Sequence, residues 1–250
     1  MSRLIEKPLR VSEGHFLLKI ESEAAASRPG QFINIRVSEQ HDPLLRRPFS
    51  IFSHERGVIH AVIKIAGRGT ELLARREPGP IDILGPLGNG FTVIRGGRVL
   101  LVGGGVGNAP LHFLSRALSE SGCDVTYLYG ARSREYIYLE KLFRECANRF
   151  IVTTDDGSAG TKGAVTDAAS SLIAGERFDM IYTCGPAPMM RAMSALAQGT
   201  PIEISVENYF GCGIGLCSGC TIETASGPRR ACVDGPVFDG ASILWDMMPD

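Results

Sequence analysis

The sequence predicts a multidomain α+β protein in which an antiparallel β-barrel, a parallel α/β layer and a small Gly- and Cys-rich module follow one another. Three observations lead there. Short apolar runs broken by Gly and Pro fill the first part, continuous apolar runs alternating with helical patterns begin at Arg98, and four of the seven cysteines crowd between positions 212 and 232. The predicted domains are residues 1–96, 97–204 and 205–250.

In the first domain, His15–Ile20, Gln31–Val37 and Val58–Ile65 are short β-type runs between turn residues, the texture of a small antiparallel barrel. From Val99 the apolar run Val99–Val102 leads into Gly103-Gly104-Gly105-Val106-Gly107, then into a helical pattern at Leu111, Leu114 and Leu118. Val125–Gly130, Phe150–Thr154 and Met180–Cys184 continue the alternation, with a helix expected around Tyr138–Phe143. Such runs are strands buried on both faces between helices, hence a parallel sheet. The last stretch shows little periodicity, so a bound metal centre would have to organise it.

Composition narrows the function. Lys and Arg number 26 against 27 Asp and Glu, a formal net charge of −1, which leaves no footprint for nucleic acid or an anionic membrane surface. No apolar stretch reaches a membrane-spanning length, and no export signal opens the chain, so a cytoplasmic protein with reduced thiols is expected. Glycine accounts for 30 of 250 residues, well above the usual share of about 7%, so backbone must approach something closely.

Cys212, Cys217, Cys220 and Cys232 follow C-x4-C-x2-C with a fourth cysteine further on, the ligand spacing of plant-type [2Fe–2S] centres. A Cys₄ zinc site is the rival reading, although zinc sites pair shorter, symmetric knuckles. Gly103–Gly107 between strand and helix is a turn that lets a pyrophosphate meet backbone N–H groups, without the strict G-x-G-x-x-G spacing. Cys184-Gly185-Pro186 at a later strand end would meet the same ligand across the sheet edge. Arg47-Pro48-Phe49-Ser50 offers a cation for a diphosphate, a flat apolar surface and a hydroxyl, and Gly69-Thr70 adds a phosphate-type turn.

With these motifs in this order the chain resembles the ferredoxin–NADP reductase superfamily and, within it, the electron-transfer subunits of bacterial NAD-dependent (class 1B) dihydroorotate dehydrogenases. The resemblance runs through Pro29–Phe32, Arg46–Ile51, Gly85–Phe91, Gly103–Pro110, Thr153–Gly163 and Cys232–Pro236. It implies an FAD-binding barrel, an NAD(P)-binding domain and a C-terminal [2Fe–2S] domain. FAD is then expected on Arg47, Pro48, Phe49, Ser50, Val62, Ile63, Lys64, Gly69 and Thr70, the nicotinamide nucleotide on Gly104, Gly105, Gly107, Cys184, Gly185 and Pro186, and the cluster on Cys212, Cys217, Cys220 and Cys232. The implied partner is an FMN-containing catalytic subunit, two copies of each in a heterotetramer, serving pyrimidine biosynthesis by passing electrons from dihydroorotate through the cluster and FAD to NAD⁺. No acid–base dyad is needed in this chain and no catalytic residue is assigned. The alternative is an NAD(P)H-dependent flavin and [2Fe–2S] subunit of a transhydrogenase, sulfhydrogenase or oxygenase system. Glu207-Asn208-Tyr209-Phe210, before the first ligand, is bulkier than the small or Met-rich lead-in expected of the family. Arg132, Ser133 and Arg134 leave the preference between NAD and NADP open. The five histidines and Asp155-Asp156 are read as core, surface or turn residues, and Cys123 and Cys146 as buried thiols.

Overall fold

The computed structural model describes residues 2–248; Met1 and residues 249–250, which the predicted first and third domains include, lie outside the described residues. The chain opens with β1 (Arg3–Leu4), β2 (Leu9–Ser12), β3 (His15–Glu21), β4 (Phe32–Ile35), β5 (Arg47–Glu55), β6 (Val58–Lys64), the short helix α1 (Arg68–Ala74), β7 (Gly79–Pro80) and β8 (Ile83–Leu87). These strands form one antiparallel sheet in the order β7-β1-β3-β6-β5-β4-β8, with β2 on the outside of β3, curled as a half-barrel. Alternation places Leu18, Ile20, Ile51, Ile59, Ala61 and Ile63 in its core.

The second layer is built from β9 (Arg98–Gly104), α2 (Asn108–Glu120), β10 (Asp124–Ala131), α3 (Glu140–Glu145), β11 (Arg149–Thr154), β12 (Thr161–Lys162), α4 (Val165–Gly175), β13 (Met180–Cys184), α5 (Ala187–Leu196) and β14 (Ile202–Ser205). Strand β9 shows why the run Val99–Val102 is continuously apolar. Val99 and Leu101 enter one core with α2, while Leu100 and Val102 enter another on the opposite face. From β9 the chain moves outward through β10, β11 and β12, then returns to lay β13 and β14 on the other side, all parallel. The reversal of strand order between β9 and β13 is where such sheets open a crevice for a ligand. The predicted helix around residues 138–143 begins slightly later, because Leu139 takes a left-handed conformation ahead of it (φ 50°). Tyr138 and Phe143 then fall into an aromatic cluster with Tyr127 and Tyr129.

Beyond β14 come the hairpin β15 (Thr221–Thr224) and β16 (Gly227–Arg230), then β17 (Val237–Asp239). Strand β17 returns to pair antiparallel with β14, Ser205 standing opposite Val237, so the cysteine-bearing segment leaves and re-enters the second layer at one rung. Among the described residues no helix is long and apolar enough to cross a membrane.

The half-barrel and the second layer are clamped where α2 lies on β5. The His112 ring stacks on Phe52 at 4.0 Å and 3°, its Nδ1 lies 3.2 Å from the Phe52 carbonyl, and Arg116 pairs with Glu55. Burial pushes the His112 pKa down to about 4, outweighing the Phe52 and Leu142 carbonyls that favour the charged ring. The unfolded chain binds this proton near pH 6.5, so the stabilisation is complete above that pH and is lost as pH falls toward 4. Chemical denaturation followed by circular dichroism should show a loss of about 2 kcal/mol from this group between pH 7 and pH 5. His112→Gln, which does not titrate, should remove this share of the slope and leave that of His15, His54 and His60, whose pKa values desolvation also lowers; an equal slope in the variant would refute the assignment.

Candidate functional site

Two cavities open between the layers and share a boundary. The first, about 420 Å³, is lined by Arg47, Pro48, Phe49, Ser50, Val62, Lys64 and Thr70 from the half-barrel, by Ser205 at the end of β14, and by Val206, Glu207, Asn208 and Phe210 beyond it. Seven of the nine predicted flavin-binding residues therefore face one space. The other two lie behind it. Alternation along β6 turns Val62 and Lys64 toward the cavity and Ile63 into the barrel core, and Gly69 sits beneath the Arg47 side chain. A Cβ on Gly69 would stand 2.9 Å from Arg47 Nε, so the glycine lets the guanidinium lie flat against α1. Arg47 donates to the Leu45 carbonyl at 2.6 Å, which aims the side chain while leaving other N–H groups for an anion. The Thr70 hydroxyl is committed to its own turn, accepting from Ala66 N at 2.9 Å and donating to Gly67 O at 2.8 Å.

The second cavity, about 480 Å³, lies over the switch between β9 and β13 and is lined by Gly104, Gly105, Val106, Arg132, Asp155 and Pro186, among others. Gly107, Cys184 and Gly185 form the packed layer beneath. A Cβ on Gly107 would come within 2.5 Å of the Cys184 carbonyl oxygen, so glycine is what allows the two loops to touch. Asn108 Nδ2 donates to Gly105 O at 2.9 Å and Tyr138 Oη to Val106 O at 3.2 Å, holding the turn from the side away from the ligand. The Cys184 thiol is buried and kept protonated by desolvation. Asp156 is a turn residue as expected, its Oδ1 accepting from Ser158 N and Oγ, whereas Asp155 faces the cavity, a role that its place in a turn-like motif concealed.

Lys64, Val106 and Glu207 line both cavities. Glu207 is exposed where it borders them, while the protein packed around it pushes its carboxyl pKa up by desolvation and Lys64 opposes the shift. Nothing in the sequence marks Glu207, Asn208 or Phe210 as cavity residues beyond their nearness to Cys212.

The cysteine loop is organised around sulfur. N–H groups of Ile214, Leu216 and Cys217 point at Cys212 Sγ at 3.5, 3.2 and 3.4 Å, Gly215 N at Cys232 Sγ at 3.2 Å, and Cys232 N at Cys220 Sγ at 3.4 Å. Burial alone would raise the Cys212 thiol, but these backbone donors and the adjacent Cys217 bring it down to about 6. Burial and the neighbouring Cys220 push Cys232 up to about 12, since two thiolates side by side repel. The sulfurs meet as two pairs, Cys212 with Cys217 and Cys220 with Cys232; among the described residues no three ligand side chains already form one metal-binding group. Four thiols, two pairs and inward N–H donors fit a [2Fe–2S] centre, which takes four Cys ligands and is stabilised by N–H···S contacts.

The sulfur loop abuts the first cavity. Phe32 and Phe210 line that cavity with ring centroids 4.9 Å apart, and both pack against Cys220 and Cys232. Asn34 Nδ2 donates to the Cys212 carbonyl at 3.3 Å. From β8 onward, Asn89 N donates to Gly235 O at 2.6 Å and Asn89 Nδ2 to Asp234 O at 3.1 Å.

Residues 207–244 match the iron–sulfur cluster binding domain of dihydroorotate dehydrogenase B, and residues 101–195 match an oxidoreductase NAD-binding domain. The chain is 40% identical over 252 residues to the electron transfer subunit of dihydroorotate dehydrogenase B (NAD⁺) from Shouchella clausii, covering 96% of each chain. It belongs to that family. A Desulforamulus reducens subunit of the same description is 39% identical over 228 residues, 87% of each chain. Among solved structures, an NADH-dependent reduced ferredoxin–NADP oxidoreductase superposes with a TM-score of 0.88 at 37% identity, over 98% of this chain and 90% of its own. The two motifs Gly85–Phe91 and Cys232–Pro236, far apart in sequence, are the two sides of the contact that Asn89 makes.

Two outcomes follow from this geometry. Arg47→Ala should lower FAD affinity tenfold or more, through loss of a charge-assisted contact worth about 1.5–3 kcal/mol, with the cluster spectrum unchanged; flavin titration of the apoprotein measures it. Gly107→Val, by forcing the loops at Cys184 apart, should weaken NADH binding at least tenfold while FAD stays bound, as read by NADH titration of flavin reduction.

Proposed function

We propose that this chain is the electron-carrying subunit of an NAD⁺-linked dihydroorotate dehydrogenase, in which a partner FMN subunit oxidises dihydroorotate and this chain delivers the electrons to NAD⁺. One observation carries the reading: the three sites adjoin, the second cavity touching the first at Lys64, Val106 and Glu207, and Phe32 and Phe210 of the first packing in one cluster with Cys220 and Cys232. Bound FAD supplies hydride exchange with nicotinamide on one side and single-electron exchange with a [2Fe–2S] cluster on the other.

The protein's part is placement. Arg47 holds the diphosphate, Pro48, Phe49 and Ser50 seat the ring, and Lys64 and Val106 border the place where ring and nicotinamide meet. Gly104, Gly105 and Pro186 receive the nucleotide, with Gly107, Cys184 and Gly185 as the close-packed support. Cys212, Cys217, Cys220 and Cys232 hold the cluster, and Phe32 with Phe210 excludes water between it and the flavin cavity. Tyr209 and Leu216, 83% and 80% exposed beside the cysteines, offer the partner subunit an apolar approach to the cluster. A heterotetramer with two copies of each subunit completes the proposal.

The likeness to the ferredoxin–NADP oxidoreductase favours a second reading, the flavin and [2Fe–2S] subunit of a transhydrogenase. The protein that co-purifies decides between them. An FMN-containing dehydrogenase that reduces NAD⁺ with dihydroorotate only when mixed with this chain supports the first; a ferredoxin-linked flavoprotein supports the second. Under the first, the isolated chain should reduce artificial dyes with NADH but not oxidise dihydroorotate, and Cys217→Ser should abolish coupled dihydroorotate-to-NAD⁺ turnover while sparing NADH-to-dye activity. Normal coupled turnover after loss of the cluster would overturn the route.

A further inference from the structure

We propose that Asn208 contacts the flavin ring, its side-chain amide donating a hydrogen bond to a ring acceptor and so raising the reduction potential of bound FAD. This rests on the assignment of FAD to the first cavity. Asn208 lies between β14 and Cys212 and lines that cavity. Its Oδ1 accepts from Tyr209 N at 2.7 Å, which settles the amide's orientation, since the opposite one would set two donors against each other. That leaves Nδ2 as the free end. It is buried and, among the described residues, has no hydrogen-bond partner. A buried donor without an acceptor is unfavourable, and a ligand carrying acceptors relieves it.

Its place along the cavity selects the part of FAD it meets. Phe210, two residues on, packs on Phe32, and Phe32 is in register with Ser50, whereas Arg47 pairs with Ile35 at the far end of the same strands. Asn208 therefore stands at the Ser50 end, away from Arg47 and the diphosphate, where the acceptors of FAD are the nitrogen and carbonyl oxygen atoms of its ring. On reduction N5 takes up hydrogen and ceases to accept, whereas N1 and the carbonyl oxygens gain electron density, so the ring acceptor proposed for Nδ2 is one of these, and its bond is stronger to the reduced ring than to the oxidised one.

The test uses the full chain with its cluster, purified without air, as wild type, Asn208→Leu and Asn208→Asp. The aspartate keeps the acceptor for Tyr209 N but adds a charge, so the leucine variant reads the loss of the donor alone, and an aspartate variant with wild-type potential overturns the proposal even where the leucine variant does not fold. FAD affinity is measured by titration and the flavin midpoint potential by dye-coupled reduction, with the cluster spectrum as the folding control. Both variants should bind FAD more weakly. The ratio of affinities for reduced and oxidised FAD should fall about tenfold, a potential about 30 mV lower for a two-electron couple. Variants with wild-type affinity and potential overturn this proposal alone; a wild-type chain that carries its cluster but binds no FAD overturns the cavity assignment and this proposal with it.

Discussion

Asn89 and the glycine before it hold the half-barrel against the cysteine segment. A Cβ on Gly88 would stand 2.7 Å from Pro236 Cδ and 2.8 Å from the Gly235 carbonyl, so the end of β8 and the cysteine segment meet backbone to backbone. Across that contact Asn89 gives its N–H and its amide to the carbonyls of residues 233–235. The constraint is one of distance: electrons pass efficiently only between carriers set close together, and side chains at these contacts would push the carriers apart. Gly107 against Cys184 does for the nucleotide cavity what Gly88 against Gly235 does for the sulfur loop. Much of the unusual glycine content is spent at such contacts and in the turns between them.

The alternation of buried strands with helices from Arg98 was plain in the sequence because parallel strands buried on both faces must be apolar at every position, as Val99–Val102 are. The cysteine motif was equally plain, since ligand chemistry tolerates few residue types and the spacing it demands is rigid. The barrel residues were legible only in part. Arg47, Phe49 and Ser50 form a compact local motif, but whether Ile63 faced the flavin or the core depended on which side of β6 turned inward.

Residues contributed from far along the chain were the hardest to see. Asn34 reaches Cys212 across 178 positions, and Glu207 and Asn208 enter the cavities because β14 happens to end there. No periodicity or spacing announces a contact of that range. Asp155 was hidden differently: it shares a turn motif with Asp156, and local sequence cannot tell which of two adjacent carboxylates shapes the turn and which looks into the cleft.

The return of β17 to β14 has a consequence for how the cluster does its work. With Ser205 and Val237 on the same rung, and Ile243 and Trp245 packed beyond them in the second layer's core, the sulfur-bearing segment is pinned at both ends. It is wiring soldered in place, without the swinging arm of a carrier on a tether. The interval between flavin and cluster is then set by geometry and not by diffusion, insensitive to viscosity or to the length of a linker. Under the proposed docking over Tyr209 and Leu216, any traffic in the system falls to the partner subunit, which must come to a terminal that does not move.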